Sequence, residues 1–91
     1  MEIKRYIIYY QKQVIRKHIP DLPITIRKSI KAAIEERLGV DPIGFGKPLQ
    51  YSLRGLRRLR VGDYRIVYFV DRLDISITIV AIKHRKDIYD D

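Results

Sequence analysis

Apolar and polar positions recur along this chain with two periods, helical through its middle after a strand-like opening and strand-like again beyond. Residues 2–10 open it with β-branched and aromatic side chains, among them Tyr6, Ile7, Ile8, Tyr9 and Tyr10, the content of a strand. Residues 11–19 set Val14, Ile15, His18 and Ile19 at helical spacing, which predicts a short helix. It ends before Pro20, because the residue ahead of a proline avoids the helical region. Pro20-Asp21-Leu22-Pro23 then suits the connector of a helical hairpin. Residues 24–38 carry the strongest helical signal: Ile26, Ile30, Ala33, Ile34 and Leu38 fall on one face. Arg27, Lys28, Lys31, Glu35, Glu36 and Arg37 lie largely on the other, which reads as a solvated surface. Gly39 is placed to cap this helix and Pro42 to stop it.

Residues 41–53 are turn-rich, with Gly44, Gly46 and Pro48. Beyond them the period drops to two. Residues 56–61 and 64–69 read as strands joined by Gly62-Asp63, and glycine at the first central position of a two-residue loop suits a type II′ turn. Asp71-Arg72-Leu73-Asp74 makes a second turn. Residues 75–82 form a β-branched run continuous enough to predict a central strand covered on both faces. The order predicts a single α+β domain of 91 residues with a modest core. In it an N-terminal strand, a two-helix hairpin and an antiparallel three-strand meander build a four-stranded sheet with helices packed on one face.

Composition narrows the chemistry. The absence of cysteine excludes disulfides and thiolate metal sites and suits a reducing cytosol. No apolar run approaches the roughly 20 residues of a membrane span, and the amino terminus lacks a signal-peptide pattern, so a cytoplasmic protein is expected. The formal net charge of +8 favours nucleic acid or an acidic protein as partner. Gly44 to Lys47 make a lone Gly-x-Gly-Lys, without the longer glycine-rich turn and the Ser or Thr of a phosphate loop, so an NTPase is rejected.

The basic charge is concentrated around the hairpin. Arg54, Arg57, Arg58, Arg60 and Arg65 are opposed there by Asp63 alone. Alternation puts Arg58 and Arg60 on one face and Leu59 and Val61 on the other. Guanidiniums held on a rigid sheet suit a phosphate backbone, because the planar fork donates bidentately to phosphate oxygens. Lys47, Arg54, Arg57, Lys83 and Lys86 are expected to position RNA phosphates without reading sequence. Tyr6, Tyr9, Tyr10, Tyr64 and Tyr68 read as core or sheet-packing residues, and His18 as structural.

The element order resembles that of the RelE/ParE superfamily of toxin–antitoxin toxins. The segment running from Leu49 through Leu53-Arg54-Gly55 and Arg58-Leu59-Arg60-Val61-Gly62-Asp63-Tyr64-Arg65 to Tyr68 carries the likeness, with the ending His84-Arg85-Lys86-Asp87-Ile88-Tyr89. It covers nearly the whole chain and is most specific from residue 47 onward. The resemblance implies one of two activities. RelE-like members cut messenger RNA in the ribosomal A site, whereas ParE-like members inhibit DNA gyrase and cleave nothing; an inactive RNA-binding relative is a third possibility. The RelE-like reading implies no metal or cofactor, a co-encoded acidic antitoxin as partner, and the ribosome-bound messenger as substrate. Carried over, Arg58 and Arg60 stand near the strand's basic pair, Arg65 matches the arginine after the turn, Arg85 the distal arginine and Tyr89 the terminal tyrosine. One departure is chemical: the family's best-known pattern has lysines on that strand.

Metal-free RNA cleavage needs charge stabilisation at the phosphorane, a base for the 2′-OH and an acid for the leaving oxygen. Fixed guanidiniums of Arg65 and Arg85 supply the first. Arg58 and Arg60 are poor proton carriers, since arginine stays charged in proteins. His84 and Tyr89 are the proton-transfer candidates, with base stacking a second role for Tyr89.

Overall fold

The structure is a computed structural model and describes residues 5–50 and 55–87. Strand β1 spans Ile7–Tyr10, and helix α1 spans Val14–His18, closed by Ile19 N–H donating to the Val14 carbonyl at 2.8 Å. Helix α2 runs Ile24–Ala33 in α geometry and continues through Ile34–Leu38 in the wider i to i+5 geometry that α1 also has, closed by Gly39 N–H to the Ile34 carbonyl at 2.8 Å. Gly39 does follow the helix, but in right-handed conformation (φ −67°, ψ −21°). Its glycine is needed for space: a Cβ there would come within 2.6 Å of the Glu35 carbonyl oxygen.

Pro42, expected as a stop, also starts a helix. Short helix α3 (Pro42–Phe45) has Asp41 as its cap, whose Oδ1 accepts from Gly44 N–H at 2.9 Å. Proline at the first helical position loses nothing by lacking an N–H. Then come β2 (Lys47–Pro48), β3 (Arg57–Val61), β4 (Tyr64–Asp71) and β5 (Ser76–His84), and a 3₁₀ turn over Arg85–Asp87.

The sheet has five strands in the order β1-β5-β4-β3-β2, one more than the four expected. The addition is the two-residue β2, hidden in a segment whose glycines and prolines read as turn; Pro48 is tolerated because β2 is an edge. Strand β1 pairs parallel with β5, and the remaining pairings are antiparallel. The β3–β4 hairpin turns through Gly62-Asp63 with Gly62 at φ +59°, while Asp63 stays out of the left-handed region. That is the requirement of a type II′ loop and not of type I′.

One face of the sheet meets the helices. Leu59, Ile66, Tyr68, Ile77, Ile79 and Ile82 pack against Val14, Leu22, Ile30, Ala33, Ile34 and Leu38. The β5 run looks continuous because of a bulge. Val67 pairs with Ala81 and Tyr68 with Ile79, so Val80 is skipped and the inward phase shifts from Ile77 and Ile79 to Ile82. The expected burial of β5 on both faces is therefore corrected: these residues share one covered face, and Thr78 and Ala81 on the other are half-buried. Past the end of β1, side chains complete the edge of β5. Gln13 Nε2 donates to the Val80 carbonyl at 3.1 Å, and His18 Nδ1 accepts from Ile82 N–H at 3.1 Å. These bonds occupy backbone groups that an open edge would leave exposed.

Candidate nucleic-acid interface

Register decides which cations meet. Residues paired directly across strands share a face, and their strands lie about 4.8 Å apart. Lys47 stands opposite Arg58, Arg60 opposite Arg65, and Arg65 opposite Lys83. Five of the residues singled out from sequence thus share the face away from the helices. Three of them, Arg60, Arg65 and Lys83, form one row across β3, β4 and β5. Arg65 at its centre is only 6% exposed. Like charges directly opposite one another work against folding, so this row concentrates positive charge on the open face.

Arg85 reaches the same end of the sheet by another route. Its backbone N–H donates to the Asp63 carbonyl at 2.8 Å, which ties the 3₁₀ turn to the hairpin loop. Its Nε lies 3.8 Å from Asp63 Oδ1, an exposed pair that holds the guanidinium loosely. Lys86 follows in the turn and is exposed. Tyr89 and Arg54 lie outside the described residues.

Two expected participants sit elsewhere. Arg57 has the phase of Leu59 and so lies on the helix-covered face, opposite Tyr68. Its Nη2 donates to the Ile43 carbonyl at 2.9 Å and the Gly46 carbonyl at 3.0 Å. It fastens α3 to the sheet, with Tyr68, whose hydroxyl donates to the Pro42 carbonyl at 2.6 Å. Burial raises the Tyr68 phenol pKa, with Arg57 partly offsetting it, so the hydroxyl stays a donor. A Cβ on Gly46 would collide with that hydroxyl. His84 pairs with Tyr64 and so shares the face opposite Arg65. Its ring meets Tyr64 edge-on at 5.0 Å, and its Nδ1 accepts from Lys86 N–H at 3.1 Å. His84 closes the strand and stands apart from the cation row. The signal was present for both residues: alternation from Leu59 and from Lys83 sets their phase.

Sequence reasoning did not bring two features together. The amines of Lys47 and Lys83 stand on the same face as the arginines. Of core and sheet-packing, the two readings open to Tyr9, the structure gives the second. Tyr9 alternates with Ile8 and Tyr10, emerges on the open face at 50% exposure, and shares a row with Phe69 at 42%. Among the described residues no group of three or more His, Cys, Asp or Glu is placed to hold a metal, and no helix is long and apolar enough to cross a membrane.

Comparison with known proteins fits this architecture. The family model described as ParE toxin of type II toxin–antitoxin system, parDE, matches residues 13–89. Toxin RelG of Mycobacterium tuberculosis is 32% identical over 74 residues, which cover 81% of this chain and 85% of that protein. Toxin RelE of the same organism is 41% identical over 49 residues, 54% of this chain and 50% of that one. Among solved structures, a chain of the toxin–antitoxin complex RelBE2 from M. tuberculosis matches with a TM-score of 0.81 at 27% identity, over 89% of this chain and 99% of that one. A chain of the archaeal RelE–RelB complex from Pyrococcus horikoshii matches with a TM-score of 0.68 at 30% identity, over 92% and 99%. With the family model spanning most of its length and a relative above 30% identity matched over 85% of that protein, this chain belongs to the ParE toxin family of type II toxin–antitoxin systems, within the RelE/ParE superfamily.

Proposed function

We propose that this toxin is an endoribonuclease that cuts messenger RNA on the ribosome and so stops translation. The observation that carries the reading is the row Arg60–Arg65–Lys83 on the open sheet face, with Arg58 and Lys47 beside it and Arg85 at the same end. In the reaction a ribose 2′-OH attacks the adjacent phosphorus in line. The bond to the 5′-oxygen breaks, giving a 2′,3′-cyclic phosphate and a free 5′-OH. Arg65 and Arg85 neutralise the charge that accumulates on the phosphorane, and Arg58 and Arg60 hold the strand beside it. The 2′-OH proton leaves to a base and the 5′-oxygen receives one from an acid, roles for which Tyr89 and the Lys83 amine are the candidates. His84 and Arg57, facing the other way, are not assigned to the reaction. Lys47, Arg54 and Lys86 contact phosphates. With so few proton-transfer groups the ribosome must align the messenger, so activity on free RNA is weak.

The solved relatives RelBE2 and RelE–RelB are toxin–antitoxin complexes. We propose the same for this chain: a co-encoded acidic antitoxin binds it and silences it. Its basic face supplies the electrostatic complement.

Primer extension on a translated messenger after induction tests the activity. Wild type gives in-frame cuts within the open reading frame, and Arg65→Ala lowers cleavage by about 10²–10³, the usual effect of removing one preorganised donor. Growth arrest with intact messenger, unchanged in Arg65→Ala and Arg85→Ala, would instead identify the gyrase-directed activity of ParE-like toxins.

A further inference from the structure

We infer that Tyr9 and Phe69 form a stacking platform for unpaired bases of the RNA whose phosphates lie on the cation row. This rests on the nuclease reading above and extends it to the part of the substrate away from the cut. Both rings lie on the open face, paired on either side of Thr78, so their strands are two spacings, about 10 Å, apart. Thr78, smaller than either ring, stands between them in the same row. Along β4, Phe69 is four residues from Arg65, about 13 Å, with Val67 between. The intermediate row Arg58, Val67 and Ala81 joins the two zones. The face therefore grades from three cations, through a mixed row, to two exposed aromatic rings.

An outward position on a sheet with one solvated face is normally polar. Here two large rings occupy such positions at 50% and 42% exposure. Neither packs edge-on or face-on against another ring among the described residues. The acids at the two ends of the face are already engaged: Asp63 with Arg85, and Asp71 with the Leu73 and Asp74 N–H groups of its own turn. Between these ends, the rows from Arg60–Arg65–Lys83 to Tyr9–Thr78–Phe69 carry no carboxylate among the described residues. Single-strand binders combine these same two parts, a cationic groove for the backbone and sheet-mounted aromatics for the bases.

The test substitutes leucine, which keeps apolar volume and removes the π face. Wild type, Tyr9→Leu, Phe69→Leu and Tyr9→Phe are titrated with a short single-stranded RNA of 2′-O-methyl ribose, which cannot be cut, and assayed for cleavage of ribosome-bound messenger. Each leucine variant is expected to bind the RNA between about fivefold and a hundredfold more weakly, while Tyr9→Phe binds like wild type. Replacing single bases of the probe by abasic sites should abolish the difference at one position for each ring. Wild-type affinity and KM in both leucine variants, with cleavage intact, would overturn the platform and leave the nuclease standing. Ring-dependent binding without cleavage by wild type would keep the platform and sink the nuclease. Absence of RNA binding by wild type, with antitoxin binding lost in the leucine variants, would overturn both and assign the rings to protein docking.

Discussion

Replacing Arg60 by glutamine should make the free protein more stable and its RNA complex weaker. Arg60 faces Arg65, which faces Lys83, so three cations line up on adjacent strands. A like-charge pair directly across an antiparallel ladder costs about 0.2–1 kcal/mol. Arg60 is exposed, which places its share toward the low end of that range. For a domain of this size each kcal/mol moves Tm by about 4–8 °C, so a share of about 0.2–0.5 kcal/mol should make Arg60→Gln melt roughly 1–4 °C higher at low salt. The gain should shrink as ionic strength rises, because the Debye length falls from about 30 Å at 0.01 M to about 8 Å at 0.15 M. The same variant should lose one phosphate contact, lowering the slope of log affinity against log salt by about 0.7 for a single strand. Differential scanning calorimetry at two salt concentrations and a salt titration of RNA binding measure both halves. A variant that melts lower than wild type at low salt, or binds RNA with an unchanged slope, would show that the row is held together by something other than an external anion.

Three further outcomes follow from the packing. Tyr68→Phe keeps the ring and removes the hydroxyl that holds the Pro42 carbonyl at 2.6 Å; it should cost about 1–3 kcal/mol in urea unfolding. Burial raises the phenols of both Tyr68 and Tyr10, the latter with help from Glu35, so the folded state keeps protons that the unfolded chain releases. Stability is then full below about pH 10 and declines above it, and Tyr68→Phe should soften that decline in alkaline melts. His18 is displaced the other way: burial, then Lys83 and Lys17, lower its pKa against a smaller opposing pull from Asp21. The unfolded chain therefore binds a proton first as pH falls through about 6.5, so stability drops below neutrality until the folded histidine also titrates. His18→Asn, whose Oδ1 can accept the Ile82 N–H without titrating, should flatten the urea midpoint between about pH 7 and 5.

The helical half of the fold was legible because its signals are local. Ile26, Ile30, Ala33, Ile34 and Leu38 make a stripe that a strand cannot use, and α2 follows it to Leu38. The hairpin was legible for the same reason, since the Gly62 conformation is a property of two residues. The bulge at Val80 was not, because it depends on which residue of β4 faces which residue of β5. Strand β2 escaped notice because its two residues are extended only by pairing with β3. In the site, the common face of Arg58 and Arg60 came directly from alternation. Arg57 and His84 were grouped with these cations by residue type, while their phase relative to Leu59 and Lys83 turns them to the other face. Whether Tyr9 packed in the core or on the open sheet face was undecided, because an aromatic in a strand has no sign in the sequence saying which side the helices occupy.

By itself, then, the order of residues settled the elements, the turn between β3 and β4, and a store of guanidiniums near it. These follow from backbone sterics and from the period of apolar side chains, which act over a few residues. Register across strands, the side on which helices lie, and therefore which cations stand together with which exposed rings were settled only by the folded chain. Those depend on contacts between segments tens of residues apart, where a shift of one position turns every side chain to the opposite face.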